Sequence, residues 1–513
     1  MAWLVAVVPG MVGLITGGYH VGRPPIWGDE GVTMAMAARS VSQLLATMPH
    51  DDIVHGAYYL VVHVVETVAG SSAPTVLRAP SVVAMAVAAA FTALIARRLA
   101  TLAGSPYPAV TGLVAGVLFA LLPVVIRYAQ EARSYAIVTM LAAIATYLLI
   151  KVIEDGGRWW LGYAVAVALT GLFNIFGLLI LVAHGVSLLV AAPGLPRLSG
   201  RSPAGVLARW ILAGAAAVVV LIPIVAFAYT QRTAISWMTG QVNISSAAVN
   251  LARGWAGPGQ LFWPVFGLAA VGIVADAVTW RRGRPAVTPG SVALPWLVLP
   301  PGLLLVASQF HPVYDSRYVE YCLPALAILV AWGLTWLARL VRVAIPPLGR
   351  SGLAWLGWLP VAVILVLFVI ALKPADGKVS LPSSRADNLG LDSQIVADHA
   401  KPGDIVFFIP MSYRPITAEY PAQWRGIRDI ALGQSPVASD TLYGIDVSPA
   451  ELLKRFTHVT RVWVYTEPAN AAYMASGRAT PVDKEEMSLV ARMKLVRRWV
   501  EGDKMLLLYQ TRW

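Results

Sequence analysis

Residues 127–153 read RYAQEARSYAIVTMLAAIATYLLIKVI. Arg127, Glu131 and Arg133 crowd the first seven positions, and no charge follows from Ser134 to Ile150. A run of about 18 apolar residues is long enough to cross the roughly 30 Å hydrocarbon core of a bilayer. The stretch therefore reads as a short charged loop feeding a membrane-spanning helix.

Working outward, similar runs cover most of the chain. The expected spans are 3–20, 77–96, 106–125, 135–153, 159–173, 175–192, 210–229, 261–280, 291–309, 319–338 and 353–372, about eleven in all. Across the 513 residues 58% are hydrophobic and only 13% charged, with a mean hydropathy of +0.67. A soluble chain of this length needs far more charge to cover its surface. A transmembrane β-barrel would show short alternating segments instead. The expected fold class is a polytopic α-helical membrane protein. The opening residues, MAWLVAVVPG, lack the basic region of a signal peptide and read as the start of a retained first span. Cys322 is the single cysteine, so no intrachain disulfide and no cysteine-based metal site is available.

The net charge of +12 first suggests a nucleic-acid partner. Its distribution argues against one. From Lys373 onward the chain is nearly balanced, with 18 Lys/Arg and 16 Asp/Glu. The excess lies in the membrane part, in clusters between alternate spans: Arg97 and Arg98; Lys151 and Arg158; Arg197, Arg201 and Arg209; Arg281, Arg282 and Arg284; Arg339, Arg342 and Arg350. These fall on one side, which the positive-inside rule makes cytoplasmic. The N-terminus is then cytoplasmic, and the C-terminus extracytoplasmic. Acids show the reverse: Asp29, Glu30, Asp51, Asp52, Glu66, Glu131, Asp315 and Glu320 all fall on the outer side or at outer ends of spans.

Residues 374–513 change character. Short apolar runs at 404–410, 461–467 and 504–511 read as strands, and patterns near 389–400, 449–457 and 484–494 as helices. The expected organisation is a membrane domain over 1–373 and an extracytoplasmic α/β domain over 374–513. Within the first, residues 21–76 form a first outer loop. Its two helical stretches are too short or too polar to cross, and suit the outer interface.

Four constellations on the outer side could carry chemistry. Asp29-Glu30 leaves the first span. A carboxylate there can act as a general base on an acceptor hydroxyl, or merely open an amphipathic helix. The outer face offers no nucleotide sugars, so a sugar donor there would be lipid-borne, with a phosphate that needs a cationic partner. In RYAQEARSY (127–135), Glu131 lies between Arg127 and Arg133, which suits an ionised carboxylate or a local ion pair. In HPVYDSRYVEY (311–321), Arg317 sits beside Tyr314 and Tyr318. Its planar fork matches a phosphate, or it simply snorkels. In HDDIVHGAYY (50–59), His50, Asp51, Asp52 and His55 match no specific metal-site spacing. An acceptor-lining or plain surface role fits them better.

The order WGDE (27–30), HGAYYLVVHVV (55–65), LRAPS (77–81), YAQEARSYA (128–136) and SRYVEYCLPALAILVAWGL (316–334) resembles a known family. This is the polyprenyl-phosphate-sugar-dependent glycosyltransferases of the GT-C fold, of the protein O-mannosyltransferase and aminoarabinose transferase type. Within that branch the chain most resembles the actinobacterial mannosyltransferases of cell-envelope glycans. The resemblance covers residues 20–340. It implies inverting transfer from a polyprenyl-phosphate sugar, with mannose expected, to a hydroxyl of an outer glycan or lipoglycan.

By that resemblance Asp29 matches the family's presumed base, Glu30 its neighbour, and Glu131 the acidic residue of the second outer loop. Arg317 matches an arginine near the donor phosphate, with Tyr318, Arg127 and Arg133 in support. His55, Tyr58, Tyr59, Asp52 and His63 are expected to line the acceptor side or the pocket. One departure is that Gly56-Ala57 replaces a family Pro-Pro before Tyr58-Tyr59. No prosthetic group is expected. The acidic pair could hold a divalent ion, although no further ligand spacing supports one, and metal dependence stays open.

Transfer to protein hydroxyls, or lipid modification of the aminoarabinose or arabinofuranose type, uses the same motifs. A lipid-linked sugar flippase is the non-enzyme rival. Flippases and transporters place ionisable groups near mid-membrane and tend to carry internal repeats. Here the span centres hold almost none, His184 being the clearest, and no repeat is visible.

Overall fold

A computed structural model describes residues 3–232, 242–283, 285–344 and 359–511. The chain forms two compact units. One is Met1–Val21 with Arg78–Val379; the other is Gly22–Leu77 with Ser380–Trp513. The outer loop, expected to group with the membrane part, is thus grouped with the C-terminal segment.

The first unit is helical. Seven of the described helices are long and apolar enough to span: Pro74–Leu102, Tyr135–Glu154, Ile175–Ser199, Pro203–Thr230, Gly259–Gly283, Pro289–Ala307 and Ser316–Arg342. The pair Pro108–Leu121 and Pro123–Ala129, bent by 63°, makes an eighth when the two are counted as one span. The expected spans 3–20 and 159–173 appear as apolar helices Leu4–Gly18 and Trp159–Phe173, each of 15 residues. At 1.5 Å per residue each covers about 22 Å, less than the hydrocarbon core. The last expected span corresponds to helix Leu359–Val379, while residues 353–358 lie outside the described residues.

Helix packing follows from small residues. A methyl added at Gly333 would collide with the Leu268 carbonyl oxygen, and one at Gly272 with that of Leu329. The helices Phe262–Gly283 and Leu323–Ala344 therefore cross backbone to backbone, which only glycine permits. His184 and Asp276, polar side chains inside the bundle, are paired. His184 takes Thr146 Oγ1 at 3.0 Å and the Tyr163 hydroxyl at 2.9 Å on its two ring nitrogens. Asp276 accepts from Thr288 and from the Gly290 N–H, and so holds the start of helix Pro289–Ala307. On the side expected to be cytoplasmic, Arg201 donates to carbonyls at the end of helix Tyr135–Glu154, where a cation offsets the helix dipole.

The second unit joins short helices to a sheet. Helices Gly28–Ala37, Val41–Thr47 and Gly56–Ala69 come from the outer loop. Met36, Leu44, Met48 and Tyr59 bury with Leu442 of the C-terminal segment. Arg39 donates to Thr441 O at 2.8 Å, and Leu442 N–H to Asp51 at 2.9 Å.

The strands are β1 Ile405–Phe408, β2 Arg428–Asp429, β3 Leu432–Gln434, β4 Ile445–Asp446, β5 Arg461–Thr466, β6 Lys494–Glu501 and β7 Lys504–Gln510. Five of them form a mixed sheet in the order β2-β1-β5-β7-β6, and β3 pairs with β4. Strands β1 and β5 run parallel and are buried along their apolar length, as strands covered on both faces are. The three strands and three helices expected from the sequence all lie on elements of their own type. Strand β6 escaped notice because KLVRRWVE is a mostly exposed edge strand with no buried face to pattern it.

Candidate active site

In the first unit, Pro123 makes the site. It has no N–H to give and disfavours a helical residue before it, so the helix breaks at Leu122, which is extended. The following turn, Pro123–Ala129, presents Arg127, and the loop to Tyr135 presents Glu131 and Arg133. Arg127 pairs with Glu131, which is buried. The Arg133 carbonyl accepts from Ser81 of the LRAPS run at 3.3 Å, and buried Arg78 donates to Val21 O at 2.7 Å.

Across this unit, the 3-10 turn Ser316–Cys322 carries Arg317. Its guanidinium lies 3.0 Å from Asp315 and over the rings of Tyr135 and Tyr318, 5.9 Å from each centroid. Tyr318 stacks on Phe176 at 5.1 Å. Buried Glu320 has Asp315, Glu131 and Arg127 as charged neighbours. Arg127, Glu131, Arg317 and Tyr318 thus gather with two acids, Asp315 and Glu320, that the sequence placed on the outer side without a role. The planar Arg317 fork over the Tyr135 and Tyr318 rings is of the shape that matches a phosphate.

In the second unit, the pair Asp29-Glu30 opens helix Gly28–Ala37, where the helix dipole favours negative charge. The two carboxylates differ in burial. Glu30 is fully buried and Asp29 partly exposed. Asp387 accepts the Gly28 N–H at 2.9 Å and lies 3.3 Å from Lys504 Nζ. Burial pushes the Asp387 carboxyl above its ordinary value, and Lys504 and the Gly28 N–H pull it back. Glu419 is buried against Gly31, where an added methyl would run into its carboxyl group. Burial pushes Glu419 well up, with Asp387 adding to it.

Of the residues expected to line the acceptor side, Asp52, His55 and Tyr59 come together. Asp52, in a left-handed conformation at φ 56°, receives the Tyr59 hydroxyl and lies 3.9 Å from His55 Nε2. His63 Nδ1 is 2.8 Å from Ala37 O. Tyr58 and Tyr59 are buried, Tyr59 within the cluster around Met36. Among the described residues, no three of His, Cys, Asp and Glu gather to hold a metal ion.

Asp387, Lys504, Glu419 and Glu320 were not picked out as site residues. Nothing local signals the first three, since each acts on a segment more than a hundred positions away in sequence. Glu320 was visible only as a charge inside an apolar run.

The helical membrane unit, with charged loops between its spans, together with a sheet-bearing C-terminal segment, is the GT-C fold. Three solved structures share it. ArnT from Cupriavidus metallidurans in the apo state matches at 13% identity and a TM-score of 0.56, over 98% of this chain and 97% of that one. The same protein bound to undecaprenyl phosphate matches at 13% identity and 0.53, over the same shares. The Archaeoglobus fulgidus oligosaccharyltransferase in complex with Zn and sulfate matches at 10% identity and 0.52, over 98% of this chain and 72% of that one. No protein-family model and no curated protein sequence matches the chain.

Proposed function

We propose that this protein is an inverting glycosyltransferase of the cell membrane. It moves a sugar, mannose in our reading, from a polyprenyl-phosphate donor to a hydroxyl of an extracytoplasmic glycan or lipoglycan. The N-terminus is cytoplasmic and the C-terminal domain extracytoplasmic. One observation carries the reading: of the acidic pair, Glu30 is buried and Asp29 is left partly exposed. A general base must reach an acceptor hydroxyl, and of the two only Asp29 is open to one.

Asp29 takes the hydroxyl proton as that oxygen attacks the anomeric carbon from the face opposite the phosphate. The new glycosidic C–O bond forms, the bond from carbon to phosphate oxygen breaks, and polyprenyl phosphate leaves with the electron pair. Arg317, with Arg127 and Arg133, offsets the charge that grows on the leaving phosphate. Tyr318 keeps the Arg317 fork oriented. Support for a lipid-phosphate donor comes from the shared fold, in which ArnT holds undecaprenyl phosphate.

The test is Asp29→Asn in full-length detergent-solubilised protein with tritiated undecaprenyl-phosphate mannose and lipoglycan acceptor. Transfer should fall by about 10² to 10⁴, the range for loss of a general base. Undiminished transfer refutes the assignment. Turnover without a sealed membrane separates an enzyme from a flippase.

A further inference from the structure

The start of helix Gly28–Ala37 is held from far along the chain. Trp27, in the N-cap position, makes no side-chain cap. The Gly28 N–H donates instead to Asp387 Oδ1 at 2.9 Å, across 359 positions of sequence. Leu389 N–H donates to Ile26 O at 3.1 Å, so the two stretches of chain are tied on both sides of Trp27.

Asp387 is itself fixed by the turn between β6 and β7. Asp503 N–H donates to Ala386 O at 2.8 Å, and Lys504 Nζ lies 3.3 Å from Asp387 Oδ2. The Gly502 backbone is so close to Ala386 O that an added methyl would collide with it. The side chains of Asp387 and Lys504 are 3% and 12% exposed. A buried carboxylate is tolerated when both oxygens find partners, and here one takes a backbone N–H and the other an ammonium. On the next turn of the helix, Gly31 rests on the Glu419 carboxyl.

We propose that Asp387 and Lys504 are positioning residues for sugar transfer. The Asp387 carboxylate sets the first turn of helix Gly28–Ala37, and with it the backbone of Asp29, while Lys504 holds Asp387 in place. The inference rests on the reading of Asp29 as the base. The C-terminal segment thereby carries the clamp that aims the outer-loop carboxylate. A base displaced by about 1 Å can lose on the order of 10²-fold in rate.

The experiment measures kcat and donor KM in the full-length protein in detergent, with tritiated undecaprenyl-phosphate mannose. Asp387→Ala should lower kcat about 10- to 100-fold with donor KM unchanged. Asp387→Asn keeps an oxygen for the Gly28 N–H and should retain more activity than the alanine variant. Lys504→Met leaves the buried carboxylate without its ammonium and should also lower kcat. Adding Asp387→Asn to Lys504→Met removes the stranded charge and should restore part of that loss in kcat per folded molecule.

Full kcat in Asp387→Ala alongside an inactive Asp29→Asn overturns the clamp and leaves the base standing. A fully active Asp29→Asn overturns both. Losses that follow only the fraction of folded protein, or a double variant no better than Lys504→Met, overturn the clamp.

Discussion

Asp392 gives the C-terminal unit an unusual dependence on pH. Burial raises its carboxyl from an ordinary 3.8 to about 7, with Asp387 and Glu501 adding and the Tyr465 hydroxyl and Lys504 opposing. Tyr465 donates to it at 2.7 Å. The folded protein therefore keeps this proton up to about pH 7, whereas the unfolded chain releases it near 3.8. Stability from this group is fully present below pH 3.8 and is lost as pH rises through about 7. The difference between 3.8 and about 7 corresponds to about 4 kcal/mol. Asp387 and Glu419 are raised by burial too and act in the same direction. Asp392→Asn keeps an oxygen for Tyr465 but cannot ionise. Thermal unfolding of the full chain in detergent, from about pH 5 to about pH 8.5, should show the variant gaining on wild type as pH rises. The gap in Tm should be smallest at about pH 5 and level off above about pH 8. A gap that stays constant across this range refutes the reasoning, because the ionisation of Asp392 would then have no share in it.

Three further outcomes are expected. Arg317→Ala should raise donor KM about 10- to 100-fold, since hydrogen bonds to a charged group contribute about 1.5–3 kcal/mol. Asp315→Asn should lower it, because Asp315 competes for the same guanidinium at 3.0 Å; steady-state kinetics on the lipid-linked donor check both. Gly333→Val would drive a side chain into Leu268 O, and should destabilise the helix crossing by about 3 kcal/mol or more. Size-exclusion chromatography of the detergent-solubilised variant should show little monodisperse protein.

Much of the fold was legible because crossing a bilayer is a local property. A helix such as Tyr135–Glu154 must be apolar along its own length whatever its neighbours, so hydropathy alone locates it. Strands β1, β5 and β7 were legible for a similar reason, being short apolar runs between polar breaks. The bend before Pro123 was not, since the expected span 106–125 runs straight through it. Membrane helices tolerate proline, so the residue alone does not announce a break. Edge strand β6 was not legible either, since one exposed strand of mixed side chains carries no periodic signal.

The sequence by itself determined that this is a multi-span membrane protein, where the charged loops between its spans lie, and that an α/β segment follows them. Only the tertiary structure decided that Glu30 is buried while Asp29 stays partly exposed, although the two are adjacent. It alone showed that Asp387 caps Gly28, that Glu419 lies under Gly31, and that Gly272 and Gly333 lie at one crossing. The reason is physical. Apolar length and helical period are written in neighbouring residues, whereas burial, capping and close packing belong to pairs of groups that folding brings together from distant parts of the chain.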